Sequence, residues 1–530
     1  MSIPRQRGDQ RGSSPIVVLL PALTAVGFGW WMLARREYLL VDDAYISFRY
    51  AVNFAQGHGL VWNVGEPVEG YTCLSWVLLL SAFARLGWDL TIPAVVLSGA
   101  FGLGCLELMR RVLTARVGNV AAHWNVVPLM LLASLPSFAH AMTSGMEETC
   151  FAFLCVLGIH LLVLGREQPS MRRWSGVVFA AASLTRPEGP LVAGIAVLIE
   201  AFARTSWRAR FRELLFPVVC VAVVVVGHTV FRLVYYGYPL PNTFYAKVIF
   251  SSLTVERGAA HISGFLLAGG WLLLLGFPKP GFDPGLRRWI VHGYALLIGY
   301  SMYLLFVGGD HPRWNRFYVP LLPLALVGVG EQLRIWTERW ADARAWFRAW
   351  SIAAVHACGY AAIALASLPF SEAVEPIVGV IDRSTKRLMD DVDRFFDEVP
   401  QDSFCAVAAI GHVGYRHLGL HILDTWGLTN THIAHLKVKP EVKFGHDKQD
   451  NDYVASTKPD YIYVFALPVP LPGYDLCWPS DNPPAAVYRR AVPLSAADVH
   501  LGVPKQRRRR LEPPPACRPP SFHKAPKASP

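Results

Sequence analysis

The chain has 530 residues, of which 53% are hydrophobic and only 17% charged, with a formal net charge of +11 and nine cysteines. A soluble domain carries about 25% charged residues, so the composition excludes an ordinary soluble enzyme along the whole length. Most Arg and Lys stand in short loops between apolar runs, where positive charge reports membrane topology rather than nucleic-acid binding.

Apolar runs recur from Ile16 to about Phe370, most of them near the ~20 residues that span hydrocarbon. Arg5, Arg7 and Arg11 place the N-terminus inside, and span one is expected at 16–34 as a retained helix, since it carries no A-x-A-like cleavage site. Arg110, Arg111 and Arg116 form the next inner cluster, so 91–109 runs inward and all of 35–90 belongs outside. The apolar stretch Cys73 to Leu86 is then a helix lying along the membrane surface. Further spans are expected at 125–142, 148–165, 174–185, 190–203, 213–234, 261–277, 289–307, 318–333 and 350–369, about eleven in all. Arg35 and Arg36 are the exception to the charge rule. Residues 371–502 read as a small α/β unit with strands in "FCAVAAIG", "HILDTW" and "DYIYVFA", and 503–530 as a basic, Pro-rich disordered tail. Six cysteines (Cys73, Cys105, Cys150, Cys155, Cys220, Cys358) lie in or beside apolar segments as small core residues. Cys405 and Cys477 can pair if their domain is extracytoplasmic.

On this topology the polar motifs collect on one membrane face. "DDAYISFRYA", "GHGLVWNVGEPVEGYT", "TSGMEET", "TRPEG", "YYGYPLPNTFYAK" and "GGDHPRWNRF" all fall outside, and convergence of distant polar segments is what an active site needs. Asp42 or Asp43 can cap a helix running to about Gln56 and ended by Gly57. Either can also serve as a general base at the surface, where two adjacent carboxylates repel and raise one pKa. Glu147 and Glu148 suit the first turn of the following span, and Arg186 and Glu188 can simply pair. Arg313, Arg316 and His311, with Lys247 and Arg186, are candidates to hold a phosphate, although arginines at span ends also snorkel. Trp62, Asn63, Glu69 and Tyr71 in the glycine-rich loop, with Glu147, Glu148, Glu188, Asn242 and Asp310, are candidate substrate contacts. His140, His160 and His228 read as core residues. No zinc spacing, P-loop or GxSxG elbow occurs, and the two glycines of "IGHVGY" are too few for a dinucleotide fingerprint.

The outer motifs, in their order, together with "AIGHVGYRHLGLHILDTWGLTNTHIAH" and "FGHDKQDNDYV", resemble the polytopic GT-C glycosyltransferases that use polyprenyl-phosphate sugars. The resemblance is strongest to the mycobacterial terminal arabinofuranosyltransferase family and its bacterial relatives. It implies a mainly α membrane domain over 1–370, catalytic acids in the first outer loop at Asp42 and Asp43, a lipid-linked donor, and an envelope glycan or glycolipid acceptor. It implies inversion, a bacterial inner-membrane location with the active site outside, and no nucleic-acid partner. Some members of the wider class use a divalent cation. Mg, Ca or Mn is an option here, on Asp42, Asp43, Glu147 and Glu148. One departure is "EGYTC" where the family pattern has "EGYTN", so Cys73 replaces a polar residue that bears on acceptor recognition. A mannosyl- or aminoarabinosyl-type transferase, a lipid or solute transporter, and a membrane-anchored interaction protein are the competing readings. The one-sided gathering of ionisable residues speaks against a transporter, whose charges should lie mid-membrane on broken helices.

Overall fold

A computed structural model describes residues 15–35, 40–114, 126–203, 206–249, 251–267, 270–309, 316–339, 383–437, 447–464, 471–481 and 484–492. The membrane part is built from α1 (Pro15–Arg35), α4 (Thr91–Thr114), α5 (Val126–Ser134), α6 (Pro136–Thr143), α7 (Glu148–Leu164), α8 (Pro169–Thr185), α9 (Gly189–Phe202), α10 (Trp207–Tyr235), α12 (Ser252–Leu267), α13 (Pro284–Val307) and α14 (Leu322–Arg339). Between α1 and α4 lie α2 (Asp42–Ala55) and α3 (Leu74–Arg85), and α11 (Asn242–Lys247) follows α10. Among the described residues, Thr91–Thr114, Phe211–Tyr235 and Pro284–Val307 are each long and apolar enough to cross a membrane, and α5 with α6 forms a fourth, bent by 64°. With these helices the chain is a multi-pass membrane protein. The expected span at 350–369 lies outside the described residues.

The expected spans at 16–34, 148–165 and 190–203 coincide with shorter apolar helices among the described residues, and two further expected spans are interrupted. The run at 125–142 breaks at Leu135, which is extended at φ −71°, ψ 127° before Pro136, because the proline ring disfavours the α conformation of the preceding residue. The run at 261–277 is the end of α12 followed by a 3₁₀ segment, Gly270–Gly276. The helix begins earlier, at Ser252, and its Arg257 makes a two-pronged ion pair with Asp447 of the C-terminal domain at 2.7 Å.

The C-terminal domain has a five-stranded sheet in the order β2-β1-β3-β5-β4, with β1 (Phe404–Val407), β2 (His421–Asp424), β3 (Tyr461–Val464), β4 (Tyr474–Asp481) and β5 (Pro484–Arg490). The first three strands are parallel, and the β4–β5 hairpin is added antiparallel to β3. Three strands fall in the apolar runs named from sequence; the hairpin does not, because its residues carry no alternating apolar pattern. Cys405 is a fully buried thiol on β1 that is not part of a disulfide, whereas Cys477 is disulfide-bonded. The pairing of Cys405 with Cys477, open from the sequence, is therefore absent.

The core does not end at the domain boundary. One hydrophobic cluster joins Phe48, Trp62, Trp76 and Val77 of the first loop to Val392, Phe396, Val407, Val413 and Tyr463. A second fills the membrane bundle. Burial of such aromatic and branched side chains contributes about 1.5–3 kcal/mol each, so the first loop and the C-terminal domain share one core.

Candidate active site

Helix α2 starts at Asp42, with Val41 extended at the N-cap, and stops at Gln56; Gly57 follows at φ +83°. Its two leading aspartates diverge. The Asp42 carboxylate turns into the C-terminal domain and accepts the backbone N–H of Gly411 at 3.0 Å and of His412 at 2.8 Å. Burial raises its pKa to about 6, against the lowering effect of those amides. A Cβ on Gly411 would collide with the Asp42 backbone carbonyl, so this approach requires glycine. Gly414, three residues on, leaves room for the Trp62 ring in the same way. The two glycines of "IGHVGY" therefore serve packing.

Asp43 points the other way, into a cavity of about 390 Å³. The cavity lies where α2, the loop before α3, α8, α10, α11 and α13 converge. Asp43, Tyr71, Glu147, Arg186, Glu188, Lys247 and Arg316 all line it. Both terminal nitrogens of Arg316 stand 3.4 Å from Asp43 Oδ2, and the guanidinium is 3.9 Å from Glu148. Arg186 is bound more tightly, at 2.8 Å to Glu147 and 3.2 Å to Glu188. Each cavity carboxylate thus faces a guanidinium. Among the described residues no three His, Cys, Asp or Glu side chains converge as metal ligands. The other wall is apolar, with Val224, Val225, Leu240 and Val307.

Several expected contacts lie behind this wall. Glu148 accepts a hydrogen bond from Ser144 at 2.8 Å and is buried. Its neighbour Gly145 in "TSGMEET" sits at φ +78°. Glu69 is clamped by Arg232 at 2.8–3.0 Å, and burial raises its pKa while Arg232 opposes that. Trp62 is in the shared core, 4.7 Å beneath the Arg49 guanidinium. Asn63 pairs with Ile422 in both directions, accepting its N–H at 3.0 Å and donating to its carbonyl at 2.9 Å. Asn242 donates to the carbonyls of Gly427 and Leu428 at 2.8 and 3.0 Å. None of Asp42, Trp62, Asn63, Glu69, Glu148 and Asn242 lines the cavity; each holds together the parts that do. Asp310, His311 and Arg313 lie outside the described residues.

The cavity also uses Ser47, Arg232, Thr243, Phe244, Tyr303 and Leu428, which the sequence alone did not single out, and His228, which it read as a core residue and which lines the cavity instead. Arg232 was legible in principle, as a lone cation at the end of an apolar helix just before "YYGYPLPN". Leu428 comes from the loop after β2, which Asp424 shapes by accepting the N–H groups of Trp426 and Thr429 at 2.8 Å. Cys73 lines the cavity 3.3 Å from Ser47 Oγ and occupies the N-cap of α3 without capping it.

Residues 381–500 match a family model described as a domain of unknown function (DUF8728). Over 237 residues the chain is 30% identical to a terminal beta-(1->2)-arabinofuranosyltransferase of Mycobacterium tuberculosis, covering 42% of this chain and 37% of that one. A protein of the same name from Corynebacterium glutamicum is 25% identical over 374 residues, 61% of this chain and 53% of the other. The chain thus spans about half or less of the length of these curated relatives. Its fold is similar to that of ArnT from Cupriavidus metallidurans in a crystal structure bound to undecaprenyl phosphate, with TM-score 0.57 and 14% identity over 90% of this chain and 98% of that one. The apo form of the same ArnT gives a TM-score of 0.54.

Proposed function

We propose that the chain is a membrane glycosyltransferase. It moves arabinofuranose or a similar sugar from a polyprenyl-phosphate donor to a hydroxyl of a cell-envelope glycan or glycolipid, on the outer face of the bacterial inner membrane. The observation that carries this reading is the cavity in which Asp43 faces Arg316, with Arg186 and Lys247 in the same lining and an apolar wall opposite. The names of the relatives support the reaction class. Undecaprenyl phosphate bound to ArnT, in the same fold, supports the donor class. The Cys477 disulfide supports an oxidising, extracytoplasmic setting for the C-terminal domain.

The chemistry follows from the groups present. An acceptor hydroxyl is a weak nucleophile, and Asp43 takes its proton as the oxygen attacks the anomeric carbon. The bond from that carbon to the phosphate oxygen breaks, and the polyprenyl phosphate leaves with the electron pair. Arg316 and Lys247, with Arg313 and His311 as further candidates, stabilise the charge that develops there. The transition state is oxocarbenium-like, as in glycoside hydrolysis, and one displacement inverts the anomeric centre. Asp42 holds α2 against the C-terminal domain and so orients Asp43.

The test is transfer from a panel of radiolabelled polyprenyl-phosphate sugars (arabinofuranose, aminoarabinose, mannose) by membranes holding wild type, Asp43→Asn or Asp42→Asn. The expected result is turnover of one donor, reduced by about 10²–10⁴ in Asp43→Asn at unchanged thermal stability. Full turnover in that variant would remove Asp43 as the base. Failure of every donor with every envelope acceptor would count against the transferase itself.

A further inference from the structure

The cavity does not stop at its charged end. Its α11 wall carries Phe244, and the next residue, Tyr245, turns its ring out of the cavity toward the C-terminal domain. There it stacks on His435 at 4.4 Å between ring centres and 28° between planes. Tyr238, just after α10, lies 4.7 Å from the same imidazole and 5.7 Å from Tyr245. Tyr238 is 39% exposed and His435 is exposed. Three rings from two parts of the molecule thus pack into one aromatic cluster beside the cavity wall, with its solvent face formed by Tyr238 and His435.

The face is rigidly held. Lys448 donates to the carbonyls of Tyr245 and Ala434, both at 2.7 Å, so one ammonium ties α11 to the backbone just before His435. Burial lowers the Lys448 pKa. The His435 ring is fixed from below by its Nδ1 contact with the Thr431 carbonyl at 2.9 Å. One turn back, exposed His432 stacks on Tyr453 at 4.0 Å and meets Asp450 at 3.0 Å. His432 and Asp450 thus place an exposed imidazole–carboxylate pair, of the kind that bonds hydroxyls, one helical turn from His435.

We propose that Tyr238, Tyr245 and His435 form a stacking platform for the acceptor glycan, leading the sugars behind the accepting hydroxyl from the cavity onto the C-terminal domain toward His432 and Asp450. The proposal rests on the transfer reading for the class of ligand. Sugar rings present C–H faces that pack against the electron-rich face of an aromatic ring. Their edges carry hydroxyls that need polar partners, and rigid rings bind them with little loss of freedom. A platform continuous with the cavity also gives the C-terminal domain a direct part in acceptor choice.

Binding is measured without donor, so it does not depend on turnover. Protein in nanodiscs is titrated with soluble arabinofuranosyl, mannosyl and galactofuranosyl oligosaccharides, from disaccharide to hexasaccharide, and binding is read by saturation-transfer NMR. One series is expected to bind more tightly with length. Tyr238→Ala and His435→Ala should each weaken the hexasaccharide about tenfold and the disaccharide less than twofold, with melting temperature unchanged; Tyr238→Phe, which keeps the ring, should bind as wild type. Equal affinity for short and long chains, unchanged affinity in both alanine variants, or no binding by any series would overturn the platform. Turnover on a disaccharide alongside any of these results would leave the transferase standing without it. Length-dependent binding lost in the variants would uphold the platform even if no donor were turned over.

Discussion

Arg316 meets Asp43 across 273 residues of chain, with both guanidinium nitrogens 3.4 Å from one carboxylate oxygen. This contact is looser than the 2.8 Å bond between Arg186 and Glu147 in the same cavity. A loose guanidinium between two carboxylates can turn to a phosphate, whereas a tight one held by Glu147 and Glu188 is a fixture. Arg316→Lys should therefore keep the fold and raise the donor KM about tenfold, through loss of the planar fork. Arg186→Ala should instead lower stability, by about 3–5 kcal/mol, because it leaves two buried carboxylates unpaired. Donor titrations and thermal unfolding of both variants distinguish the two roles. Equal effects on donor KM would contradict the division.

The C-terminal domain is docked through backbone. Arg49 is buried and donates to the carbonyls of Trp62, Gly414 and Leu420 at 2.9, 2.8 and 2.7 Å. Gly411→Ala forces a methyl group against the Asp42 carbonyl and should cost about 1–3 kcal/mol. Arg49→Lys leaves carbonyls without donors, at about 1–3 kcal/mol for each buried group. Both variants should also lose transfer, since Leu428 reaches the cavity only when the domain is docked. Limited proteolysis should cut the C-terminal domain of each variant faster than that of wild type; equal rates would show that docking does not depend on these contacts.

Cys73 offers a gain. It holds the N-cap of α3 and makes no capping bond. Cys73→Asn supplies a carbonyl oxygen for the amides of the first turn and should stabilise the protein by about 1 kcal/mol. The cavity beside Cys73 provides room for the larger side chain. A melting temperature at or below that of wild type would show that the amide cannot reach the helix end.

The sequence revealed the membrane class, the helices α2 and α3, and several of the segments that meet at the cavity, because apolar runs, basic loops and helix ends are local signals. It did not separate Asp42 from Asp43. Adjacent residues at a helix start point in different directions, and only the partner at Gly411, 369 residues away, decides which is used for docking. Glu69, Asn63 and Asn242 read as substrate contacts for the same reason. A polar residue in a glycine-rich loop looks alike whether it meets a ligand or a distant backbone carbonyl. The β4–β5 hairpin and the reach of Leu428 into the cavity are properties of the shared core, which no local window contains.

Two buried carboxyls, Asp42 at the docking contact and Asp424 at the end of β2, also carry a pH dependence. Burial raises the carboxyl pKa of Asp42 and of Asp424 from 3.8 to about 6. For both, backbone hydrogen bonds oppose the rise, and the charges of Asp43 and Asp424 add to it at Asp42. The folded protein therefore holds these protons more tightly than the unfolded chain. Their contribution to stability is fully present below pH 3.8 and is lost as pH rises through about 6. A pKa that differs by one between the folded and unfolded states is worth about 1.4 kcal/mol, so the two carboxyls together tilt the curve by several kcal/mol. Wild type in nanodiscs, melted at constant ionic strength, should show this falling component between pH 4 and 6. In Asp42→Asn one of the two titrations is gone, so the fall should be about half as large, with the Asp424 share remaining. The slope should persist in high salt, since both groups are buried and poorly screened. An unchanged slope in Asp42→Asn would mean that Asp42 carries the same protonation in the folded and unfolded states, and the docking contact would then be indifferent to pH.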